Sequence, residues 1–269
     1  MLYLVATPIG NLEDVTARAL RILSEVDMIA AEDTRETRKL LSHFAIKTSL
    51  HSYHEHSGSS ATTSLVDRML AGATVALVTD AGTPGISDPG VDLVQAAILA
   101  GIVVTPIPGP SAVITAIVAS GLPSARFVFE GFLPRTRGSR VAKLKELAVE
   151  VRTVVFYESP QRVGETLGEV STIFGPTRKV CVARELTKKF EEFRRATASE
   201  LAVHYQATPP RGECTLVIEG APAGFELATE EQKVPEGRND LIKQLAADMG
   251  INRRDLYQAV LRMKEEAAI

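Results

Sequence analysis

The sequence predicts an α/β fold in two parts followed by a small helical appendage, and three observations carry that prediction. Short apolar, β-branched runs alternate with helix-like segments through the first 120 residues, the pattern of a parallel sheet with crossover helices. Gly121-Leu122-Pro123-Ser124 breaks the pattern, which restarts at Phe127. Ala221 to Gly237 gathers proline, glycine and acids, as a linker does, ahead of a helical stretch over Arg238 to Ala268. The expected organisation is an N-terminal α/β domain at 1–120, a C-terminal α/β domain at 121–220, a linker at 221–237 and an appendage at 238–269.

In order, Leu2 to Ala6 reads as a strand, then a Thr7-Pro8-Ile9-Gly10 loop and a helix capped by Asp14 or Thr16 that reaches about Val26. Met28 to Ala31 is a second strand, ending in Glu32-Asp33-Thr34-Arg35. Two readings of that end stand side by side: a polar active-site edge, or simple helix capping by Asp33 or Thr34. Ser52 to Ser60 is polar and reads as a loop, and Leu65 to Ala71 as helical. Val75 to Val78 is a buried central strand running into Asp80-Ala81-Gly82-Thr83-Pro84-Gly85, whose glycines let a ligand approach the backbone. Ser87-Asp88-Pro89 reads as the next helix start, with the helix running to about Ala100. Ile102 to Pro106 is a strand, and Pro108-Gly109-Pro110-Ser111-Ala112 opens an apolar helix ending at Ser120. The loops after Ala6, Val78 and Thr105 gather at one sheet edge, where ligands of open α/β sheets bind.

The second half reads as a mixed sheet with helices. Strands are expected at Phe127 to Phe132, Val154 to Tyr157, Lys179 to Ala183 and Cys214 to Glu219, with an alternating run at Phe190 to Arg195. Arg135 to Arg140 is a basic turn into a helix carrying Lys143 and Lys145. Helices are expected after Pro160 and over Ser199 to Tyr205. The tail spacing, with a break at Gly250, resembles a helix-turn-helix. Its Arg253, Arg254 and Arg262 are too few for a sequence-reading domain, so it is expected to pack as an appendage.

A formal net charge of −3 carries no global nucleic-acid signature. Residues 126–200 nevertheless hold 15 Lys and Arg against 10 Asp and Glu, while residues 1–125 hold 7 against 12. The basic middle hints at an anionic partner and equally suits a solvated face. Cys181 and Cys214 lie in apolar runs, as core thiols do, without disulfide or zinc spacing. His51, His54 and His56 lack further ligands at metal spacing, so no metal is expected. No apolar run is long enough to span a membrane, and the expected location is the cytoplasm.

Three loops taken together resemble one family: Leu4-Val5-Ala6-Thr7-Pro8-Ile9-Gly10-Asn11-Leu12, Asp80 to Gly90, and Pro108-Gly109-Pro110-Ser111-Ala112. They are similar to marks of the tetrapyrrole methylase superfamily, the class III S-adenosylmethionine methyltransferases. Ala31-Glu32-Asp33-Thr34-Arg35 and Ala183-Arg184-Glu185-Leu186-Thr187-Lys188 resemble its branch acting on bacterial small-subunit ribosomal RNA. The likeness spans residues 1 to about 220 and extends to the helical tail. It implies a two-domain tetrapyrrole methylase fold with S-adenosylmethionine in the cleft, and a homodimer. The reaction implied is 2′-O-methylation of cytidine 1402 (standard bacterial numbering) in 16S ribosomal RNA.

On that reading the cofactor contacts are Pro8, Gly10, Asp80, Gly82, Thr83, Pro84, Gly85, Ile86, Ser111 and Ala112, joined from the second domain by Ala183, Glu213 and Cys214. Ser111 and Ala112, at a helix start, offer amides to a carboxylate. S-adenosylmethionine brings its own activated methyl, so the protein binds and orients. A ribose hydroxyl gains from alignment and from losing its proton. The catalytic candidates are Asp33, Arg35, Glu185 and Lys188, with Arg35 and Lys188 aligning and Asp33 or Glu185 assisting proton removal. A lysine serves as base only with a depressed pKa. Arg135, Arg137, Arg140, Lys143 and Lys145 are candidate RNA contacts, with a solubilising helix face as the other reading. The alternatives are a methyltransferase acting on a corrin-type ring and a non-catalytic ribosome- or RNA-binding protein.

Overall fold

The computed structural model describes residues 1–54, 57–225 and 252. Strands β1 (Leu2–Val5), β2 (Met28–Ala31), β3 (Ser49–Ser52), β4 (Val75–Val78) and β5 (Val104–Ile107) form one sheet in the order β3-β2-β4-β1-β5. All its pairings are parallel. Helices α1 (Ala17–Glu25), α2 (Thr34–His43), α3 (Gly58–Leu70) and α4 (Val91–Leu99) are the crossovers. Successive strand residues point to opposite faces, so β2 and β4 must be apolar at every position to be covered on both. Ile29, Ala76 and Val78 pack with Ile22 and Leu23 of α1, whereas Ala30, Val75 and Leu77 pack with Leu65, Met69 and Leu93 of α3 and α4. Each such leucine or isoleucine contributes about 1.5–3 kcal/mol by burial.

The second sheet holds β6 (Phe127–Phe132), β7 (Thr153–Glu158), β8 (Lys179–Arg184), β9 (Glu192–Thr197) and β10 (Cys214–Ile218) in the order β6-β7-β10-β8-β9. Only β6 and β7 run parallel there; the other pairings are antiparallel. Helices α6 (Arg137–Ala148), α7 (Val163–Ile173) and α8 (Ala198–Ala207) flank it. Helix α5 (Ala112–Ser120), which ends on Gly121 in the left-handed conformation, packs Val113, Ala116 and Ile117 on Val155, Cys181, Ala183 and Val217. A helix that follows the first sheet in sequence is therefore part of the second sheet's core. Both sheets lie in one compact unit, residues 1–225. Among the described residues no helix is long and apolar enough to cross a membrane.

Local chemistry fixes the helix starts. Thr16 Oγ1 accepts from the Ala19 N–H at 3.0 Å, and Asp33 Oδ1 accepts from the Arg35 N–H at 2.8 Å. Thr197 and Glu200 make a reciprocal capping box on α8. Two local readings need correction. Strand β3 falls on polar Ser-Leu-His-Ser; it is an edge strand, so an apolar alternation is not required of it. The fourth helix begins at Val91, not at Ser87-Asp88-Pro89, because Ser87 (φ 61°) and Gly90 (φ 137°) take non-helical backbone angles. At Gly90 a Cβ would stand 2.7 Å from Leu77 Cδ2, so the turn needs glycine there. The expected appendage and most of its linker lie outside the described residues.

Candidate active site

Strands β4, β1 and β5 are neighbours and parallel, so the loops after them emerge side by side. The loops are stitched together. Thr7 and Gly82 each donate their N–H to the other's carbonyl at 2.9 Å. Thr7 Oγ1 donates to the Thr79 carbonyl at 3.0 Å, and Thr83 Oγ1 to the Pro110 carbonyl at 3.1 Å. Asp80 Oδ1 accepts the Asp33 N–H at 3.0 Å, which ties in the end of β2.

A cavity of about 360 Å³ opens between these loops and the second sheet. Of the residues read from sequence as cofactor contacts, Asp80, Gly82, Thr83, Ile86, Ser111, Ala112, Glu213 and Cys214 line it. The other five lie elsewhere. Pro84 is buried in its loop, Gly85 faces a neighbouring hollow, and Gly10 sits under the Lys188 side chain. Pro8 stands half-buried in the β1 loop and does not line the cavity. The Ala183 side chain is fully buried in the core beneath α5.

The structure adds Ile9, Ser87, Asp88, Phe132, Tyr157 and Thr215 to the lining. The Tyr157 ring meets Phe129 and Phe132 at 5.0 and 5.4 Å between centroids. Burial, with the nearby Asp88 charge, pushes this phenol up to about 12. Ser111 makes no side-chain cap, so the first-turn amides of α5 lie beside the cavity without one. The cavity has a volume suited to a small molecule. Bare backbone at Gly82, apolar surface at Ile9, Ile86 and Phe132, and an uncapped helix start fit a ligand with a flat, partly apolar body and a carboxylate end.

The four catalytic candidates form two separate groups. Asp33 and Arg35 pair at 2.6 Å at the start of α2, and the hydrogen bonds from Arg35 hold the Asp33 carboxyl down at about 2. Lys188 pairs with Glu185 at 2.9 Å and Glu213 at 2.8 Å on the second sheet. Burial alone would lower the Lys188 ammonium, but the hydrogen bonds it donates to Glu213 and Glu185 outweigh it and the net shift is upward. Glu185 is held down by the Lys188 hydrogen bond. Lys188 thus stays a cation, and Asp33 and Glu185 are weak bases. Ser87, Glu185 and Thr187, none a glycine, all have positive φ (61°, 51° and 66°), so strain concentrates on these loops. Gly212 (φ 82°) leaves room for the Glu185 carboxylate, which a Cβ would strike.

A carboxylate that sequence passed over as a helix cap has different surroundings. Asp88 is half-buried and lifted to about 6, by burial first and then by the charges of Glu32 and Asp80, against a lowering hydrogen bond from Thr79. Thr79 Oγ1 also donates to Glu32 Oε2 at 2.8 Å.

The basic helix splits. Arg140 is 2% exposed and bonds Glu169 at 2.6 Å and Glu165 at 2.8 Å, so it is a buried anchor and not a surface contact. Its place near the start of α6 turns it inward onto α7. Arg135 and Lys145 are exposed; Arg137 is exposed too but its Nε also reaches Glu169 at 3.5 Å, while Lys143 pairs with Glu146 at 2.9 Å.

A family model described as Tetrapyrrole (Corrin/Porphyrin) Methylases matches residues 1–202. A protein of Halalkalibacterium halodurans named ribosomal RNA small subunit methyltransferase I is 49% identical over 272 residues, covering 95% of this chain and 93% of its own length. Its namesake in Synechocystis is 47% identical over 276 residues, 99% of each chain. Among solved structures, the uroporphyrin-III C-methyl transferase of Thermus thermophilus complexed with S-adenyl homocysteine superposes with a TM-score of 0.56 at 19% identity. The match covers 81% of this chain and 96% of that one.

Proposed function

The chain belongs to the tetrapyrrole (corrin/porphyrin) methylase family, and from that premise we propose that it transfers the methyl group of S-adenosylmethionine to the 2′-hydroxyl of one cytidine in 16S ribosomal RNA, cytidine 1402 in standard bacterial numbering. The observation that carries this reading is the 49% identity, over 95% of the chain, to a protein named for small-subunit ribosomal RNA methylation. The fold alone does not choose the acceptor, since a uroporphyrin methyltransferase shares it.

S-adenosylmethionine, when bound, supplies an electrophilic methyl on a cationic sulfur. The chain's residues bind and aim it. The uncapped start of α5, at Ser111 and Ala112, meets the amino acid carboxylate. Ile86, Cys214 and the open backbone of Gly82 border the adenosine, and Asp80 complements the positive charge. Lys188 and Arg35, both permanent cations, hold RNA phosphate or developing negative charge. Arg135, Arg137 and Lys145 contact the RNA backbone; Arg140 supports the helix that carries them. A division near residue 120, with the cleft between the two halves, belongs to the same reading; the expected appendage at 238–269, residue 252 apart, lies outside the described residues. Exposed Ile114 and Val118, one turn apart on α5, suit a homodimer surface, and the protein works in the cytoplasm.

The test is transfer of labelled methyl to small ribosomal subunits from cells lacking this protein, with the modified nucleotide mapped. A 2′-O-methyl mark on one cytidine is expected. Absence of transfer to subunits and to precursor RNA, with cofactor bound, turns the reading to a small-molecule acceptor.

A further inference from the structure

A second and larger hollow, about 760 Å³, lies against the cofactor cavity. Its walls include Tyr53, Ser57, Ser59, Thr62 and Thr63 on one side and Gly85 and Ser87 to Asp92 on the other, with Glu32 between. Two residues, Ser87 and Asp88, line both spaces. Any group passing from a donor in one to an acceptor in the other crosses that shared wall.

We propose that this hollow seats the acceptor nucleoside and that Asp88, on the wall it shares with the cofactor cavity, is the general base for the acceptor hydroxyl. The proposal rests on the methyl-transfer reading above and names the base that reading leaves open. The hollow suits a sugar and base better than a phosphate. It presents the hydroxyls of Ser57, Ser59, Thr62 and Thr63 and the carboxylates of Glu32 and Asp92, and these favour hydrogen-bond donors such as a ribose hydroxyl or an exocyclic amine.

The step balances as follows. The hydroxyl O–H bond breaks and its proton passes to an Asp88 carboxylate oxygen. The acceptor oxygen forms its bond to the methyl carbon as the carbon–sulfur bond breaks, and that electron pair returns to sulfur, which leaves as a neutral thioether. The proton has a prepared place. Thr79 gives its one hydroxyl hydrogen to Glu32, which leaves its oxygen free to accept. A protonated Asp88, whose pKa Thr79 already influences, has a hydroxyl acceptor there.

The groups facing Asp88 are Glu32 at the end of β2, Asp80 after β4 and Tyr157 on β7, with His54 and Asp92 on the hollow's rim. Two of these carboxylates raise its proton affinity through space, and burial raises it further, to about 6. The other candidate carboxylates sit lower: Asp33 at about 2, and Glu185 below its ordinary value. A base poised near the working pH transfers protons most effectively.

The experiment compares the full-length wild type with Asp88→Asn and Asp88→Glu. Single-turnover methyl transfer to small subunits is followed from pH 5 to 8, cofactor affinity is measured by calorimetry, and carboxyl titrations by NMR on the cofactor-free protein. The wild-type rate should rise through about pH 6 and then level. Asp88→Asn should lose about 100-fold or more of the rate and the pH-dependent limb, with cofactor affinity held within about threefold. Asp88→Glu should recover part of the rate. One carboxyl titrating near pH 6 should vanish in Asp88→Asn. A flat wild-type profile, an Asn variant within about fivefold of wild type, or loss of cofactor affinity in place of rate would each overturn the proposal. Wild type that transfers nothing to subunits counts instead against the reading of the substrate.

Discussion

The two sheets meet the same demand by opposite means. In the first, every strand is parallel, so the loops that follow β4, β1 and β5 leave at one edge and bring their chemistry together automatically. In the second, antiparallel pairing sends successive loops to alternate edges, and the site takes strand ends there: Tyr157 from β7, Glu213 and Cys214 from the entrance to β10. The charge distribution follows this division. The parallel edge gathers the carboxylates Glu32, Asp33, Asp80 and Asp88 with Arg35 paired to Asp33, while the second half sets Lys188 between Glu185 and Glu213 and carries Arg135 and Arg137 around the start of α6. A parallel sheet thus writes its site in contiguous motifs, and a mixed sheet assembles its share from scattered residues.

The strongest way to break the comparison is in the basic helix of the second half. Arg140→Ala leaves the buried Glu169 carboxylate only the longer, exposed Arg137 pairing at 3.5 Å and should cost about 3 kcal/mol of stability, read by denaturant unfolding. Arg137→Ala, on a side chain 78% exposed, should leave stability within about 0.5 kcal/mol while weakening binding to subunits and flattening its salt dependence. Equal destabilisation by the two would mean that the helix is not divided into anchor and contact faces.

Lys188→Ala tests whether the second sheet contributes charge to the reaction. Transfer should fall by about 10- to 100-fold, and Lys188→Arg should restore most of it. Because the Lys188 pKa is raised, the residual variant activity should keep the wild-type shape between pH 6 and 9. A break in the wild-type profile in that window that disappears on removing Lys188 would return the lysine to the role of base.

A smaller effect concerns stability at the parallel edge. The Asp88 carboxyl is lifted in the fold from 3.8 to about 6, so the folded state holds its proton more tightly than the unfolded chain. Wild-type stability should therefore decline as pH rises from about 4 to 6, and the cost persists above that. Asp88→Asn removes the ionisation and should be more stable at pH 7.5 by about 1 kcal/mol, after allowance for solvent screening, with the gain vanishing near pH 4. A variant less stable at pH 7.5 would show that the carboxylate is well compensated there. The smallest change is Thr197→Ala, which removes the capping box on α8 at about 1 kcal/mol and should leave methyl transfer untouched, since α8 lies off the cleft.

Much of this was legible because of local signals. Val75 to Val78 announced a buried parallel strand by composition alone, and Gly82 and Ser111 marked loops that the sheet then brought together. Thr16 and Asp33 capped the helices their positions suggested. Misreadings came where two roles share one residue type. Asp88 looked like a helix cap because aspartate before proline commonly is one, yet the fold sets it on the wall between two cavities. Arg140 looked like a surface cation because it sits among cations, yet a buried glutamate on α7 holds it inside. Polar β3 carried no apolar pattern because an edge strand needs none.

The sequence by itself determined the order of strands and helices, the three glycine- and proline-shaped loops and the family, because these depend on residues near one another in the chain. Only the tertiary structure decided which carboxylate is lifted toward neutrality, which arginine is buried, and that two cavities share the wall at Ser87 and Asp88. Those properties arise from desolvation and from charges set side by side by segments far apart in sequence: Glu32, Thr79 and Asp88 around one cluster, Arg140 and Glu169 across two helices. Spacing along the chain cannot encode a dielectric environment that folding alone creates.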